Sequence, residues 1–122
     1  MEKQEKVEQY LESNIKNMNL TSMLSDRGNP VKNQYILIDR EDNSILFKSY
    51  NSNIALIPEK GKMIIGRDYD YSATTMKYTW KFAEQYLRTF EFIKEQVGKF
   101  KTHKEFFDKA IKLGLIDFDE TL

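Results

Sequence analysis

Apolar residues recur at helical spacing near the start of the chain. Each apolar residue lies at most four positions from the next, and mostly polar residues fill the positions between them. The apolar residues are Val7, Tyr10, Leu11, Ile15 and Met18. This spacing gathers the apolar side chains on one side of a helix and the charged ones on the other. We therefore expect an amphipathic helix over residues 2–18 that covers one face of the fold.

The following stretch, NLTSMLSDRGNPVKN at residues 19–33, loses this spacing and is rich in Ser, Asn, Gly and Pro. Such a composition is typical of a connection between elements, and Gly28 and Pro30 are residue types that mark turns and loops. We expect a connector here, with at most one helical turn around Met23 and Leu24.

Short runs of β-branched and aromatic residues then alternate with the turn-forming segments EDNS, NSN and EKGK. These runs predict four strands, near residues 34–40, 44–50, 53–58 and 62–66. The turns between them are short, so neighbouring strands should pair antiparallel, with Asn43, Asn51, Asn53 and Gly61 available for positive φ. Both faces of this sheet are partly apolar. One face must therefore be covered by the rest of the fold, and the other by a helix or a partner.

A long helical segment follows, and Ser72 is suited to be its N-cap because its hydroxyl can accept from an unpaired amide of the first turn. At 100° per residue, one side of this helix carries its apolar residues and forms the core face. The core face comprises Thr75, Met76, Thr79, Trp80, Phe82, Ala83, Tyr86, Leu87, Phe90, Ile93 and Val97. The opposite side carries Lys77, Lys81, Glu84, Arg88, Glu91 and Glu95.

Thr102 and Glu105 form a capping box that starts a further helix, and Gly114 is placed to end it. The elements together predict one α+β domain over residues 1–122. It consists of an N-terminal helix, a four-stranded antiparallel β-meander, and then a long helix and a shorter C-terminal helix packed on the sheet.

Composition narrows the class of protein. The 122 residues are 40% hydrophobic and 13% aromatic, which suits one globular core. Cysteine is absent, which favours a reducing compartment. The N-terminal residues lack the apolar run of a signal peptide, and no stretch of eighteen apolar residues occurs. We therefore expect a protein of the cytoplasm with no membrane association.

Charge argues against a dedicated nucleic-acid binder, because 19 basic residues balance 19 acidic ones. The distribution is uneven, however. Residues 71–104 hold seven Lys or Arg against three acids, whereas residues 105–122 hold two against five. This asymmetry can orient a charged partner, although most such asymmetries are incidental solvated surface.

No constellation of catalytic residues stands out. His103 is the only histidine and has no Cys, Ser or Asp at a catalytic spacing, so we interpret it as a surface residue. Asp68, Asp70 and Ser72 lack the Gly and Glu that a calcium loop requires. We expect no enzyme activity, no metal site and no cofactor.

Candidate partner-binding residues lie in two groups. The first group is on the long helix, where exposed aromatic side chains beside cations are typical of interface anchors: Lys77, Tyr78, Lys81, Arg88 and Phe92. For Phe92, burial beneath the next helix is an equal alternative. The second group is an acidic tail that could imitate phosphate in a basic channel: Asp117, Asp119 and Glu120.

Residues 49–82 resemble a small domain of unknown function that is common in phages and mobile elements of Gram-positive bacteria. The shared motifs are a strand of the form SYxxxIA, a Gly turn, and YSxTTxKYxxxF. The matching residues are Ser49, Tyr50, Ile54, Ala55, Tyr71, Ser72, Thr74, Thr75, Lys77, Tyr78 and Phe82. The resemblance leaves out the first helix and the residues after about 88, and it brings no catalytic residues. It implies an accessory phage or mobile-element protein.

Three functions follow as hypotheses. The leading one is a non-enzymatic inhibitor of the anti-CRISPR kind that binds a host protein, namely a CRISPR effector nuclease, in the host cytoplasm. The first alternative is a nucleic-acid-binding factor that uses Lys77, Lys81 and Arg88, with phosphate bound at the helix start. The second alternative is an oligomeric structural protein whose interface is the exposed sheet face.

Overall fold

The structure is a computed structural model that describes residues 18–122, with the side chain of Met18 left out. The helix expected over residues 2–18 lies outside the described residues, apart from Met18, which begins a strand. Six strands form one sheet in sequence order: β1 Met18–Leu24, β2 Pro30–Asp39, β3 Ile45–Ser49, β4 Ser52–Ile57, β5 Ile64–Ile65 and β6 Asp117–Phe118.

The first strand corrects the expectation of a connector at residues 19–33. Leu20 pairs with Leu37 and Thr21 with Ile36 in an antiparallel ladder, and the Met23 side chain is buried in the core. A tight turn closes the hairpin, where Gly28 adopts φ +81° and its amide donates to the Ser25 carbonyl. The polar composition that suggested a loop belongs to an edge strand, most of whose side chains are exposed or only half-buried.

The four strands expected from the sequence correspond to β2 through β5, and each pairs antiparallel with the next. Asn43 and Gly61 adopt positive φ, as expected of their turns. At the β3–β4 turn, however, positive φ falls on Tyr50 instead of Asn51. The expected count of four strands is wrong, because β1 and β6 extend this meander on its two sides.

Strand β6 returns from the end of the chain and pairs parallel with β5. The amide of Asp117 donates to the Met63 carbonyl at 2.9 Å, and that of Asp119 to the Ile65 carbonyl at 2.9 Å. These bonds close the edge of the sheet that β5 would otherwise expose.

Three helices follow β5: α1 Ala73–Tyr86, α2 Phe90–Val97 and α3 His103–Lys112. The single long helix expected after Ser72 is therefore two helices with a break at residues 87–89. An unbroken helix over residues 73–97 would run about 37 Å, which exceeds the width of a small domain. The break turns α2 so that Phe90 and Ile93 are buried.

The helix caps follow the sequence closely. The Ser72 hydroxyl accepts from the Thr75 amide, and the Thr102 hydroxyl accepts from the Glu105 amide. The Glu105 carboxylate accepts from the Lys101 amide, one residue earlier than a standard capping box places it. Gly114 ends α3 with φ +74°, and the Leu115 amide donates to the Ala110 carbonyl.

The core lies between the helices and one face of the sheet. Ile36, Phe47, Ala55 and Ile65 are cross-strand partners on this face, and the Phe47 ring lies 5.7 Å from that of Phe82 on α1. All eleven residues expected on the core face of the long helix are buried or pack against buried residues. The opposite sheet face carries a second apolar row: Leu20, Leu37, Leu46, Leu56 and Ile64.

Within residues 18–122 no helix combines the length and the apolar character needed to cross a bilayer.

Candidate functional site

A cleft of about 670 Å³ opens where the β3–β4 turn meets the start of α1. We call it the tyrosine cleft, because tyrosines from both elements belong to its lining. That lining consists of Ser49, Tyr50, Asn51, Ser52, Ile54, Asp68, Tyr71, Ser72, Thr74 and Thr75. Its volume lies within the range of small-molecule and side-chain pockets.

Tyr50 comes from a two-residue hairpin turn in which Ser49 pairs with Ser52. Its backbone lies in the left-handed region at φ +55°, and its amide donates to the Asn33 carbonyl at 2.7 Å. This conformation costs a bulky L-residue roughly 1–2 kcal/mol. The ring nonetheless stays 55% exposed, so the turn holds an aromatic group at the cleft instead of packing it into the core.

Tyr71 comes from the turn that leads into α1 and is 76% exposed. Its amide donates to the Asp68 carbonyl at 3.1 Å, which places Asp68, Tyr71 and the cap residue Ser72 in one tight segment. The first amides of a helix have no acceptor within the helix. The start of α1 therefore adds hydrogen-bond donors to the aromatic cleft.

A chain of hydroxyl groups lies at the base of the cleft. The Thr75 Oγ1 atom lies 3.2 Å from Ser49 Oγ and 3.1 Å from Ser72 Oγ, while Thr79 Oγ1 donates to the Thr75 carbonyl at 2.7 Å. Gln34, the cross-strand partner of Ser49, is fully buried and has no hydrogen-bond partner for its side-chain amide among the described residues. The buried polar residues thus gather on one side of the core, next to the cleft.

The basic helix residues expected to bind a partner lie elsewhere and are already engaged. Lys81 binds the carboxylate of Asp26, and the Lys77 ammonium lies 3.6 Å from the same group. The hydrogen bond from Lys81 and the charges of both lysines lower the pKa of Asp26. Tyr78 was expected to be an exposed anchor but is only 5% exposed, because it belongs to the hydrophobic core, with the Lys77 and Lys81 ammonium groups over its ring.

Arg88 and Phe92 are accessible but do not line the tyrosine cleft. Arg88 lies at the break between α1 and α2, in a separate cavity of about 460 Å³ that also includes Asn43 and Glu59. Phe92 is 54% exposed on α2, so the alternative that places it beneath the next helix is wrong.

The acidic tail is held against the sheet. Asp117 belongs to β6, and the Asp119 carboxylate accepts from the Thr121 amide at 2.9 Å and from its hydroxyl at 2.6 Å. These bonds lower the pKa of Asp119. Asp117, Asp119 and Glu120 are exposed, but the backbone that carries them is fixed by the pairing with β5.

His103 was expected on the surface but lies half-buried against the aromatic core. Its imidazole stacks on the Trp80 indole with ring centres 4.2 Å apart and planes at 4°. Burial lowers the pKa of His103, against a smaller opposing effect of the Glu84 charge. Tyr69 lies nearby and donates to the exposed Asp108, and the burial of Tyr69 together with this bond raises the pKa of Tyr69 to about 12.

Within residues 18–122 no group of three or more His, Cys, Asp or Glu side chains is arranged to hold a metal ion. Asp68 is the one charged side chain in the lining of the tyrosine cleft. Hydroxyl, amide and aromatic groups surround it, which suits recognition by contact and hydrogen bonding.

None of the partner-binding residues predicted from the sequence lies in this cleft, although the two shared motifs supply most of its lining. Ser49, Tyr50 and Ile54 from the first shared motif, and Tyr71 with Ser72 from the second, meet in its lining. Chain order separates the two motifs by about twenty residues, and only the packing of α1 on β3 brings them together.

Within residues 18–122 the fold and the cleft define an α+β arrangement with a six-stranded sheet, three helices on one face and a polar, tyrosine-lined recess at one end. A family model described as a family of unknown function, DUF8033, matches residues 18–109. The chain belongs to this family, and the match is much longer than the resemblance over residues 49–82. No curated protein and no solved structure matches the chain significantly.

Proposed function

We propose that this chain is a non-catalytic binding protein that engages a partner protein through the tyrosine cleft. The observation that carries the proposal is the exposure of Tyr50 and Tyr71 in the lining of one cleft. The backbone of Tyr50 adopts a strained, left-handed conformation there. Strained residues cluster at functional positions, and tyrosine is among the side chains that contribute most to protein interfaces.

The lining supports a protein ligand more than a purely apolar one. Ser, Thr and Asn side chains provide donors and acceptors around the two rings, and the start of α1 adds backbone amides. Rigid aromatic anchors surrounded by adaptable polar groups are typical of surfaces that recognise other proteins.

The proposal is tested by comparing what immobilised variants retain from a host lysate. Tyr50→Asn combined with Tyr71→Ala removes both rings, while asparagine tolerates the left-handed backbone at position 50. Phe118→Ala is the matched control, since it removes an exposed aromatic ring outside the cleft. We expect one or more proteins to be retained by the wild type and the control and lost from the double variant. Identical retention by all three would contradict the proposal.

For the identity of the partner, we propose a host defence protein, namely a CRISPR effector nuclease that the chain binds and inhibits. The support is the resemblance of residues 49–82 to a domain of phages and mobile elements. A pull-down with a purified effector tests this choice separately. No binding at micromolar concentration would remove the effector while leaving the cleft proposal intact.

The nucleic-acid alternative has less support from the geometry. Asp26 engages both Lys77 and Lys81, so these cations are partly neutralised, and Tyr78 is not available for stacking on a base. A gel shift at low salt that disappears on charge reversal at Lys77 and Lys81 would restore this alternative.

One observation supports the alternative that the chain is an oligomeric structural protein. The sheet face opposite the helices carries the row of five aliphatic side chains from Leu20 to Ile64, and Leu20 is 57% exposed. Light scattering on the full chain tests this alternative, and a monomer at all concentrations would contradict it.

A further inference from the structure

We propose that the tyrosine cleft recognises an arginine side chain of its partner, with Asp68 as the carboxylate that receives it. This inference rests on the proposed partner-binding function and specifies the chemistry of the group that enters. Three observations lead to it: the charge of the lining, the unused carboxylate of Asp68, and the two exposed rings.

The charge of the lining favours a cation. Every other side chain in the cleft is neutral, so the cleft carries one formal negative charge. Neutral oxygen atoms from Ser49, Asn51, Ser52 and Thr74 surround it, and these can accept further N–H groups from a cationic ligand.

Within residues 18–122 the carboxylates of Asp68 and Asp117 form no hydrogen bond or ion pair, and Asp68 differs from the exposed Asp117 in being half-buried at the cleft. The carboxylate of Asp26 engages two lysines, that of Asp70 lies 3.6 Å from the Lys104 ammonium, and that of Asp42 accepts from the Ser44 amide. Asp68 is half-buried, yet only its backbone carbonyl accepts a hydrogen bond among residues 18–122. The adjacent Arg67 is exposed and forms no ion pair with it.

The aromatic rings select among cations. A cation over a tyrosine face is attracted by the ring quadrupole, and the planar guanidinium of arginine can also stack on the ring. The same group can donate two parallel hydrogen bonds to one carboxylate, which the ammonium of lysine cannot do. The combination of Asp68 with Tyr50 and Tyr71 therefore fits arginine better than lysine.

The start of α1 decides how the arginine is presented. Its partial positive charge is unfavourable for a free cation, but its first amides have no acceptor within the helix and can donate to a carbonyl oxygen. An arginine within an extended peptide would satisfy both conditions, because its side chain could bind Asp68 while a neighbouring backbone carbonyl accepts from the Thr74 amide.

The test is a titration of the full chain with the blocked tripeptide Gly-Arg-Gly, followed by amide resonances in two-dimensional NMR. The matched control peptide carries citrulline, which keeps the shape of arginine without its charge. We expect the arginine peptide to shift resonances of residues 49–52 and 68–75 with millimolar affinity. A third blocked peptide, Gly-Lys-Gly, should bind roughly threefold more weakly than the arginine peptide, and the citrulline peptide roughly tenfold more weakly. Equal shifts from the arginine and citrulline peptides, or shifts confined to other residues, would overturn the inference.

Asp68→Asn should weaken binding of the arginine peptide at least tenfold, while Glu95→Gln, which removes an exposed carboxylate on α2, should leave it unchanged. Circular dichroism establishes that both variants fold. Unchanged binding by Asp68→Asn would also overturn the inference. If the lysate experiment shows capture that depends on Tyr50 and Tyr71 but not on Asp68, the proposed function stands and the arginine assignment fails.

Discussion

At the scale of single residues, the stack of Trp80 and His103 links the only indole of the chain to its only imidazole. The contact lies among Phe90, Phe100 and Phe106, whose rings also meet the indole. A half-buried imidazole in such surroundings favours its neutral form, because the charged form loses more in hydration than it gains from the charge of Glu84.

The lowered pKa of His103 predicts a loss of stability in mild acid. The folded state binds the proton less readily than the unfolded state. The neutral imidazole therefore makes its full contribution to the free energy of unfolding above the ordinary pKa of 6.5. It is lost as the pH falls below that value toward the folded pKa. We expect the melting temperature to decrease between pH 7.5 and pH 5.5, accompanied by a change in Trp80 fluorescence.

The variant His103→Phe keeps a stacking ring but cannot take up a proton, so it should show a flatter dependence on pH over the same interval. The imidazole pKa can be measured directly by NMR. A value at or above 6.5, or equal pH dependence in both proteins, would contradict this interpretation.

At the scale of elements, the three helices begin in different ways. Ser72 and Thr102 each accept a hydrogen bond from an amide of their own first turn, whereas Thr89 makes no such bond at the start of α2. Ser72 also reaches Thr75, whose hydroxyl lies 3.2 Å from Ser49 on β3. The cap of α1 is therefore tied to the sheet as well as to its own helix.

Ser72→Ala should destabilise the fold by about 1 kcal/mol, because it leaves the Thr75 amide without its acceptor. This corresponds to a decrease in melting temperature of roughly 4 °C for a protein of this size. Thr89→Ala is the matched control, and we expect almost no change because that hydroxyl caps nothing. If calorimetry shows that Ser72→Ala lowers the melting temperature no more than Thr89→Ala does, the cap of α1 adds no stability.

At the scale of the whole molecule, strand β6 adds residues 117–118 to the edge of the sheet, beside β5. It pairs with β5, and the Leu122 side chain lies against Gly66, where an added Cβ would come within 3.3 Å of it. The acidic tail is thus a structural element as well as a charged surface, and the two roles can be separated by mutation.

Deletion of residues 117–122 should destabilise the fold by about 2 kcal/mol, since two backbone hydrogen bonds to β5 are lost at about 1 kcal/mol each. The control keeps the backbone and removes charge through Asp117→Asn with Glu120→Gln, which should leave stability nearly unchanged. Urea unfolding measures both. A charge variant as unstable as the deletion would mean that the acidic side chains, not the strand pairing, hold the tail.

Local sequence determined a large part of this fold. The turn chemistry and short apolar runs between residues 34 and 66 specify the meander, since hairpin pairing needs only neighbouring residues. The caps at Ser72 and Thr102 and the glycine at 114 are equally local, because each depends on contacts within four residues. The core face of α1 was also predicted correctly apart from Tyr78, since helical periodicity decides it, whereas Phe90 and Ile93 reach the core on the separate helix α2.

Tertiary structure decided the rest. An edge strand with a polar composition, such as β1, exists only because β2 offers it a ladder, and β6 exists only because the helices return the chain to β5. The break at residues 87–89 contains neither Gly nor Pro, and it arises because a straight helix would leave Phe90 and Ile93 without a core. The tyrosine cleft also depends on tertiary structure. Tyr50 and Tyr71 are distant in sequence, and only the packing of α1 on β3 places them in one lining. No local preference encodes that packing.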